Sequence, residues 1–336
     1  MLHLRVASRA FVGFILGALL VFLLYIWFGP GPGKAPVIII IKRGATVGTV
    51  SCQLQRDGAI RFLALFKFWA RLSRFRPIRG EYVFNAKASL YNITTKLKSG
   101  DINYTSVSVP PGGNAWTIQR CFCEFIPEKT FWILWTDPRF MSAAGFPNAD
   151  SMEGLIAPLV YRVNHAQDPE EIFLKLAETF RDRVKPVLYG GCLPPYETLT
   201  LASMIEKETA IPQELPLVAG VYVKRMNLHM RLQCDPTVLY ARWHSGNFHF
   251  CAPTKADIHR KSNFNTYAVF GLPPTPIASP SQTAILAAKF PSISSNLYFA
   301  ATGKGGHAFA CNLSEHIKNV KHYRDELARR FSAAKR

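Results

Sequence analysis

The chain has 336 residues, enough for about two domains with separate cores, and 49% of it is hydrophobic. Its 40 Lys and Arg against 22 Asp and Glu give a formal net charge of +18, a surface that attracts phosphates, anionic lipids or an acidic polymer. The basic residues are spread along the sequence without an RNA- or DNA-binding signature, which argues against nucleic acid as the partner. The 7 cysteines are odd in number and show no CxxC pair, so no disulfide or zinc framework follows from their spacing.

Residues 10–28 form an uncharged apolar run of the length a helix needs to cross a bilayer. Arg5 and Arg9 precede it with no acid nearby, which places residues 1–9 in the cytoplasm and the bulk of the chain outside. A cleaved signal peptide is the alternative, but the run ends in Tyr25, Trp27 and Phe28 instead of a small-x-small cleavage site. Residues 29–36, with their GPGPG, read as a spacer. Val37 to Lys42 is a β-branched run that predicts a strand, followed by helices over about 47–56 and from about Arg61. Arg61 to Arg79 interleaves Phe62, Phe66, Phe68, Trp69 and Phe75 with arginines. It reads as a helix that packs its aromatics inward while the arginines snorkel, with a membrane-surface helix as the alternative. GEYVF (80–84) alternates as a strand, and Ser89 offers an N-cap to a helix ending at Gly100. A further strand over 104–109 completes a small mixed domain, residues 37–110, with the break at Pro110 to Gly113.

Residues 116–163 show no sustained periodicity and predict only short elements. Asp168, Pro169, Glu170 and Glu171 then form a strong helix start, with Ile172, Phe173, Leu176, Phe180 and Val184 as its apolar face. Leu199 to Thr209, LTLASMIEKET, reads as a helix bounded by Pro194 and Pro195 in front and Pro212 behind. At about 100° per residue, Glu208 continues the stripe of Leu201, Met204 and Ile205, whereas Glu206 falls on the other side. An apolar surround and the negative helix end would both favour a protonated Glu208, the state a general acid needs; a surface helix end with Glu206, Lys207 and Glu208 solvated is the alternative, and the triplet alone favours it. A second helix is predicted from about Pro216 to Met226, then a loop and strand region over 231–241. The segment 271–280, GLPPTPIASP, is extended and rigid, and two strands over 297–301 and 307–310 flank GKGG. A final amphipathic helix starts near Ser314 and uses Ile317, Val320, Leu327 and Phe331. His244, His249 and Cys251 are the one grouping that suggests a metal, without a second ligand cluster to support it, so no metal or cofactor is expected.

IEKET, VAGVYVKRM, MRLQCDPTV, NTY, GLPP-x-PIASP and LYFAATGKGGHAF occur in an order and spacing that resemble the YceG-like (MltG) endolytic murein transglycosylase family over roughly residues 199–325. RGEYVF with the helix ending in KLKSG resembles the end of that family's LysM-like domain, and Met152, Glu153 and Gly154 resemble the start of a further motif. The resemblance implies an α+β architecture: an N-terminal transmembrane helix, a small LysM-like domain, then a mixed α/β catalytic domain over 111–336. It implies cleavage within nascent peptidoglycan glycan strands at the MurNAc–GlcNAc bond, leaving 1,6-anhydroMurNAc ends, with Glu208 as the catalytic residue. Gln233, Asp235, Asn265, Thr266, Tyr267 and His307 match motif positions and are the implied substrate-binding residues; bracing a turn is the alternative for Asp235 and Asn265, and fixing a hairpin the alternative for His307. The implied location is the bacterial inner membrane with the catalytic domain extracytoplasmic, and the implied partners are glycan strands and peptidoglycan synthases.

The chain departs from the family pattern at several positions. Pro111 and Gly112 stand where Glu-Gly is usual, and Leu159 and Val160 where Asp-Thr is usual. Lys224 replaces Asn, and Thr275 and Ser281 replace glycines. A glycan-binding scaffold of the same fold, without turnover, is the alternative these departures raise.

Overall fold

The structure, a computed structural model, describes residues 2–246 and 252–333, and the side chains of residues 11–246 and 252–330. It is mixed α/β and divides into two compact units, Met1–Ser106 with Arg162–Asp168, and Val107–Tyr161 with Pro169–Arg336.

The first unit opens with α1 (Leu2–Phe28), whose segment Phe11–Phe28 is long and apolar enough to cross a membrane and is not buried against the rest of the chain. Strand β1 (Val37–Ile41), helices α2 (Val47–Arg56) and α3 (Leu63–Leu72), strand β2 (Gly80–Phe84) and helix α4 (Leu90–Ser99) follow, each where the sequence predicts it. Strands β1 and β2 pair antiparallel from Val37↔Phe84 to Ile41↔Gly80. This register turns Ile39, Ile41, Tyr82 and Phe84 into one core with Val50, Leu54, Phe66, Ile93 and Leu97 from the three helices. The Ser89 side chain accepts from the Asn92 N–H and Gly100 takes the left-handed cap, so α4 starts and stops on its own local chemistry. Glu81, almost fully buried, accepts from His165 Nδ1 at 2.6 Å and Asn103 Nδ2 at 2.7 Å, which fastens the return segment 162–168 to the ribbon.

The chain continues through β3 (Thr105–Ser108), α5 (Ala115–Cys121), α6 (Glu128–Trp135), α7 (Pro138–Ala144) and β4 (Val160–Val163), which pairs with β3. In the second unit, α8 (Pro169–Arg183) buries Ile172, Phe173, Leu176 and Phe180 as its spacing predicts. Helix α9 (Pro195–Glu208) starts on Pro195 and ends at Thr209. It packs among α10 (Leu215–Asn227), α11 (Asp235–His244) and, after α12 (Lys255–Ile258), α13 (Gln282–Lys289). Every residue from Thr198 to Ile205 is buried, so α9 is a central core helix and not the one-sided amphipathic helix its stripe suggests. The hairpin β5 (Tyr298–Ala301) and β6 (His307–Ala310) and the long α14 (Leu313–Ala333) close the unit.

Two expectations are corrected. Residues 235–244 form helix α11, not a strand. Asp235 and Pro236 open its first turn, and this local start signal outweighs the β propensity of Thr237, Val238 and Tyr240, which are buried as helical residues. Ile317 is 59% exposed and takes no part in an apolar face, whereas Val320 on the same helix lines a cleft. Phe331 lies outside the described side chains, and His249 and Cys251 outside the described residues. Their companion His244 packs its ring on Phe264 at 5.3 Å.

Candidate active site

The second unit holds a cleft of about 470 Å³ whose lining includes Glu208 at the end of α9, Arg225 of α10, Gln233, Asp235, Tyr267, Phe299 and His307. The inner side of α14 contributes His316, Val320, Tyr323 and Arg324.

Glu208 keeps part of its surface open to this cleft, and Oε1 accepts a 2.6 Å hydrogen bond from the Tyr222 hydroxyl. The buried Cys234 thiol is a second hydrogen-bonding neighbour. Burial pushes Glu208 above the usual carboxylate range. The hydrogen bonds from Tyr222 and Cys234 oppose this shift, the charge of Asp235 adds to it, and His307 opposes it. Burial also drives the Tyr222 phenol and the Cys234 thiol well above their ordinary values, so both keep their protons and act as donors. The result is a carboxyl group held in place by two fixed donors and facing an open, polar cavity, able to give up a proton and to take one back.

Glu206 has a different task. Its Oε2 accepts from the backbone N–H and the hydroxyl of Ser281, the N-cap of α13, so the first carboxylate of EKE fastens two core helices together. Lys207 reaches the carbonyl of Gly112 at 3.2 Å.

Around Glu208 the six predicted binding residues separate into two groups. Gln233 lines the cleft with φ +54, and its N–H donates to the Thr266 carbonyl. Asp235 Oδ1 accepts from the Tyr267 hydroxyl at 2.7 Å, a pair that shares the cleft wall. His307 lines the cleft and is aimed by Glu214: its Nδ1 lies 2.7 Å from Oε2 and its N–H donates to Oε1 at 2.8 Å. An ionised carboxylate only accepts, so Nδ1 carries the hydrogen and Nε2 is left for another partner. Burial acts to raise Glu214, but hydrogen bonds from His307 and Thr209 outweigh it and hold Glu214 below the usual carboxylate range. Gly306, at φ +79, permits this approach, since a Cβ there would stand 2.5 Å from Glu214 Oε1.

Asn265 and Thr266 do not line the cleft. Both are fully buried: Asn265 Nδ2 donates to the carbonyls of Ile258 and Arg260 while its Oδ1 receives the Tyr267 N–H. The Thr266 hydroxyl accepts from the Cys234 N–H at 2.9 Å. They brace, from behind, the turn that carries Tyr267 and Gln233.

Sequence reasoning missed Tyr222, Arg225, Cys234 and Glu214. The first three lie inside motifs quoted above, but only tertiary packing carries Tyr222 across to Glu208. Arg225 donates from Nε to the Leu297 carbonyl and from Nη1 to the Leu232 carbonyl, tying α10 to the residue just before β5 and to the loop before α11. Of the residues that depart from the family pattern, Lys224, Thr275 and Ser281 do not line the cleft; Ser281 caps α13 and Lys224 donates to the Ser294 carbonyl.

A family model described as the YceG-like family matches residues 39–322. The chain is similar to the endolytic murein transglycosylase of Streptococcus pneumoniae serotype 2 strain D39, 26% identical over 320 residues, covering 85% of this chain and 58% of the relative. It is also similar to the endolytic murein transglycosylase of Bacillus subtilis strain 168, 26% identical over 311 residues, covering 86% of this chain and 85% of that one. The chain thus spans 58% of the length of the pneumococcal relative. Its fold is similar to the crystal structure of a YceG-like protein from Listeria monocytogenes, with a TM-score of 0.57 and 24% identity, covering 85% of this chain and 99% of that one.

Proposed function

The chain belongs to the YceG-like family, and from that premise we propose that it is an endolytic peptidoglycan lytic transglycosylase, anchored by α1, that cuts the MurNAc–GlcNAc bond of nascent glycan strands. The observation that carries this reading is Glu208, a carboxyl raised by burial and facing a cleft wide enough for sugar rings.

In this reading Glu208 donates its proton to the glycosidic oxygen as the bond to C1 of the muramyl residue breaks and positive charge develops on that sugar. The carboxylate so formed then takes the proton of the C6 hydroxyl while O6 bonds to C1. The proton count closes on one residue, no water is consumed, and a 1,6-anhydro end results. Tyr222 and Cys234 fix the carboxyl and stabilise its charged form between the two transfers. Gln233, Asp235, Tyr267 and His307 offer hydrogen bonds to hydroxyl and acetamido groups, while Asn265 and Thr266 hold their turn.

The first unit serves, in this reading, as a LysM-like glycan-handling domain; its own core around one ribbon, with two helices inserted between the strands, supports that role. The basic flank of α1 supports a cytoplasmic N-terminus and a catalytic unit outside the inner membrane, beside the peptidoglycan synthases that supply its strands.

The test is mass spectrometry of muropeptides after the full-length protein meets uncrosslinked glycan strands, alongside Glu208→Gln and Glu206→Gln. Anhydro ends are expected from the parent and Glu206→Gln, with a loss of about a hundredfold or more in Glu208→Gln. Reducing ends would mean hydrolysis. Bound glycan with no new ends from the parent would make the protein a scaffold.

A further inference from the structure

Helix α3 has two unlike faces. Taking about 100° per residue, Leu63, Leu65, Phe66, Trp69 and Ala70 fall on one side; Leu63 is half-buried and the other four belong to the core of the first unit or pack on it. The other side carries Lys67, Arg71, Ala64, Phe68 and Leu72 as one continuous exposed band, with Phe68 64% and Leu72 76% exposed. Phe62, just before the helix, is 43% exposed as well. The sequence reading of aromatics packed inward therefore holds for Phe66, Trp69 and Phe75 and fails for Phe62 and Phe68.

The charges on this band are uncommitted. Among the described residues of this unit, Arg56, Arg79, Lys96 and His165 form ion pairs, whereas Arg61, Lys67, Arg71 and Arg74 are exposed and form none. The head of α3 also has a fixed place beside the apolar helix. Arg61 and Phe62 line a small cavity of about 90 Å³ together with Phe22, Tyr25 and Ile26 of α1. Trp27 packs on the core of the unit. Tyr25, Trp27 and Phe28 form the kind of aromatic end that sits at headgroup level. The exposed cationic and apolar band thus begins where a spanning α1 leaves the hydrocarbon.

We propose that the outward face of α3 lies on an anionic bilayer surface, with Phe68 and Leu72 inserted at headgroup depth and Arg61, Lys67, Arg71 and Arg74 on lipid phosphates. This rests on reading α1 as a membrane span. A cationic band repels a second copy of itself, and it offers a glycan no carboxylate to hydrogen-bond its hydroxyls. Anionic headgroups match both its charge and its greasy centre, the pairing that makes interfacial binding stable. The face gives the first unit a second attachment to the membrane.

The experiment uses full-length protein in proteoliposomes with p-benzoylphenylalanine placed singly at Phe14, Phe68 or Leu72, and reads covalent lipid adducts by mass spectrometry. In vesicles containing phosphatidylglycerol, adducts are expected at all three positions. Phosphatidylcholine vesicles, or Arg61→Glu with Arg71→Glu and Arg74→Glu, are expected to cut the Phe68 and Leu72 adducts at least about fivefold and leave Phe14 unchanged. Adducts at Phe14 alone would overturn the docking and leave the span standing. Their absence at Phe14 would overturn both. Equal adducts in neutral and anionic vesicles would overturn the choice of an anionic surface.

Discussion

Among the residues of the cleft, Tyr222 is the one whose single atom should matter most. Its hydroxyl is 2.6 Å from Glu208 Oε1, and that hydrogen bond opposes the rise in pKa that burial imposes on the carboxyl. Tyr222→Phe removes the bond and keeps the ring, which packs edge-on against Phe299 at 5.9 Å. The expected outcome is a drop in turnover of about threefold to tenfold, with the alkaline limb of the rate profile moved to higher pH, measured by anhydro-end release across pH. An unchanged profile would remove Tyr222 from the chemistry. Glu208 was legible in the sequence through the motif IEKET, because its place on an apolar stripe reads equally as a solvated helix end. Its partner was not, because residues 208 and 222 meet only through the packing of two helices. Asn265 and Thr266 show the opposite limit: a motif marks positions that matter without saying whether a side chain faces substrate or its neighbours.

At the scale of elements, two contacts decide how the helices of the second unit sit. Gly220, in mid-helix on α10, lies against the backbone of the segment after α13, where a Cβ would stand 2.2 Å from the Ser292 carbonyl oxygen. An alanine there gains about 1 kcal/mol of helix propensity but meets backbone that cannot step aside. Gly220→Ala is expected to destabilise the protein by about 2 kcal/mol net, read as a lower urea midpoint. The second contact is Glu153, fully buried, whose Oε2 accepts from the Ala115 N–H at the start of α5 and from the Tyr240 hydroxyl on α11. Burial pushes Glu153 up to about 7 from its ordinary 4.5. As pH rises through this window the unfolded chain ionises first, so stability is full below about 4.5, falls up to about 7, and stays lower above. The loss is on the order of 3 kcal/mol, and Glu153→Gln should flatten it in chemical denaturation followed across pH. Most elements were legible because their caps and turns are local, as Ser89 and Gly100 illustrate for α4. Helix α11 departs from the expected loop and strand region because Asp235 and Pro236 open a helical turn there.

For the molecule as a whole, the formal net charge of +18 is a long-range property that no single contact explains. Anionic polymers should associate faster at low ionic strength, and raising salt from about 50 to about 200 mM should slow capture of glycan strands several-fold while the bond-breaking step is unaffected. Stopped-flow binding compared with single-turnover cleavage separates the two, and a salt-independent capture rate would count against electrostatic steering. The sequence by itself determined the apolar N-terminal helix, the order of most elements, the family and the position of Glu208. Each of these is written in local periodicity, capping chemistry or motif spacing. Only the tertiary structure decided that α9 is buried on every side from Thr198 to Ile205, that Glu206 braces Ser281 while Glu208 faces the cleft, that Tyr222 and Cys234 hold that carboxyl, and that α3 turns Phe68 and Leu72 outward. The physical reason is the same in each case: burial, and the hydrogen bonds it forces on polar atoms, is a relation between segments far apart in the chain, and the pattern within one segment does not contain it.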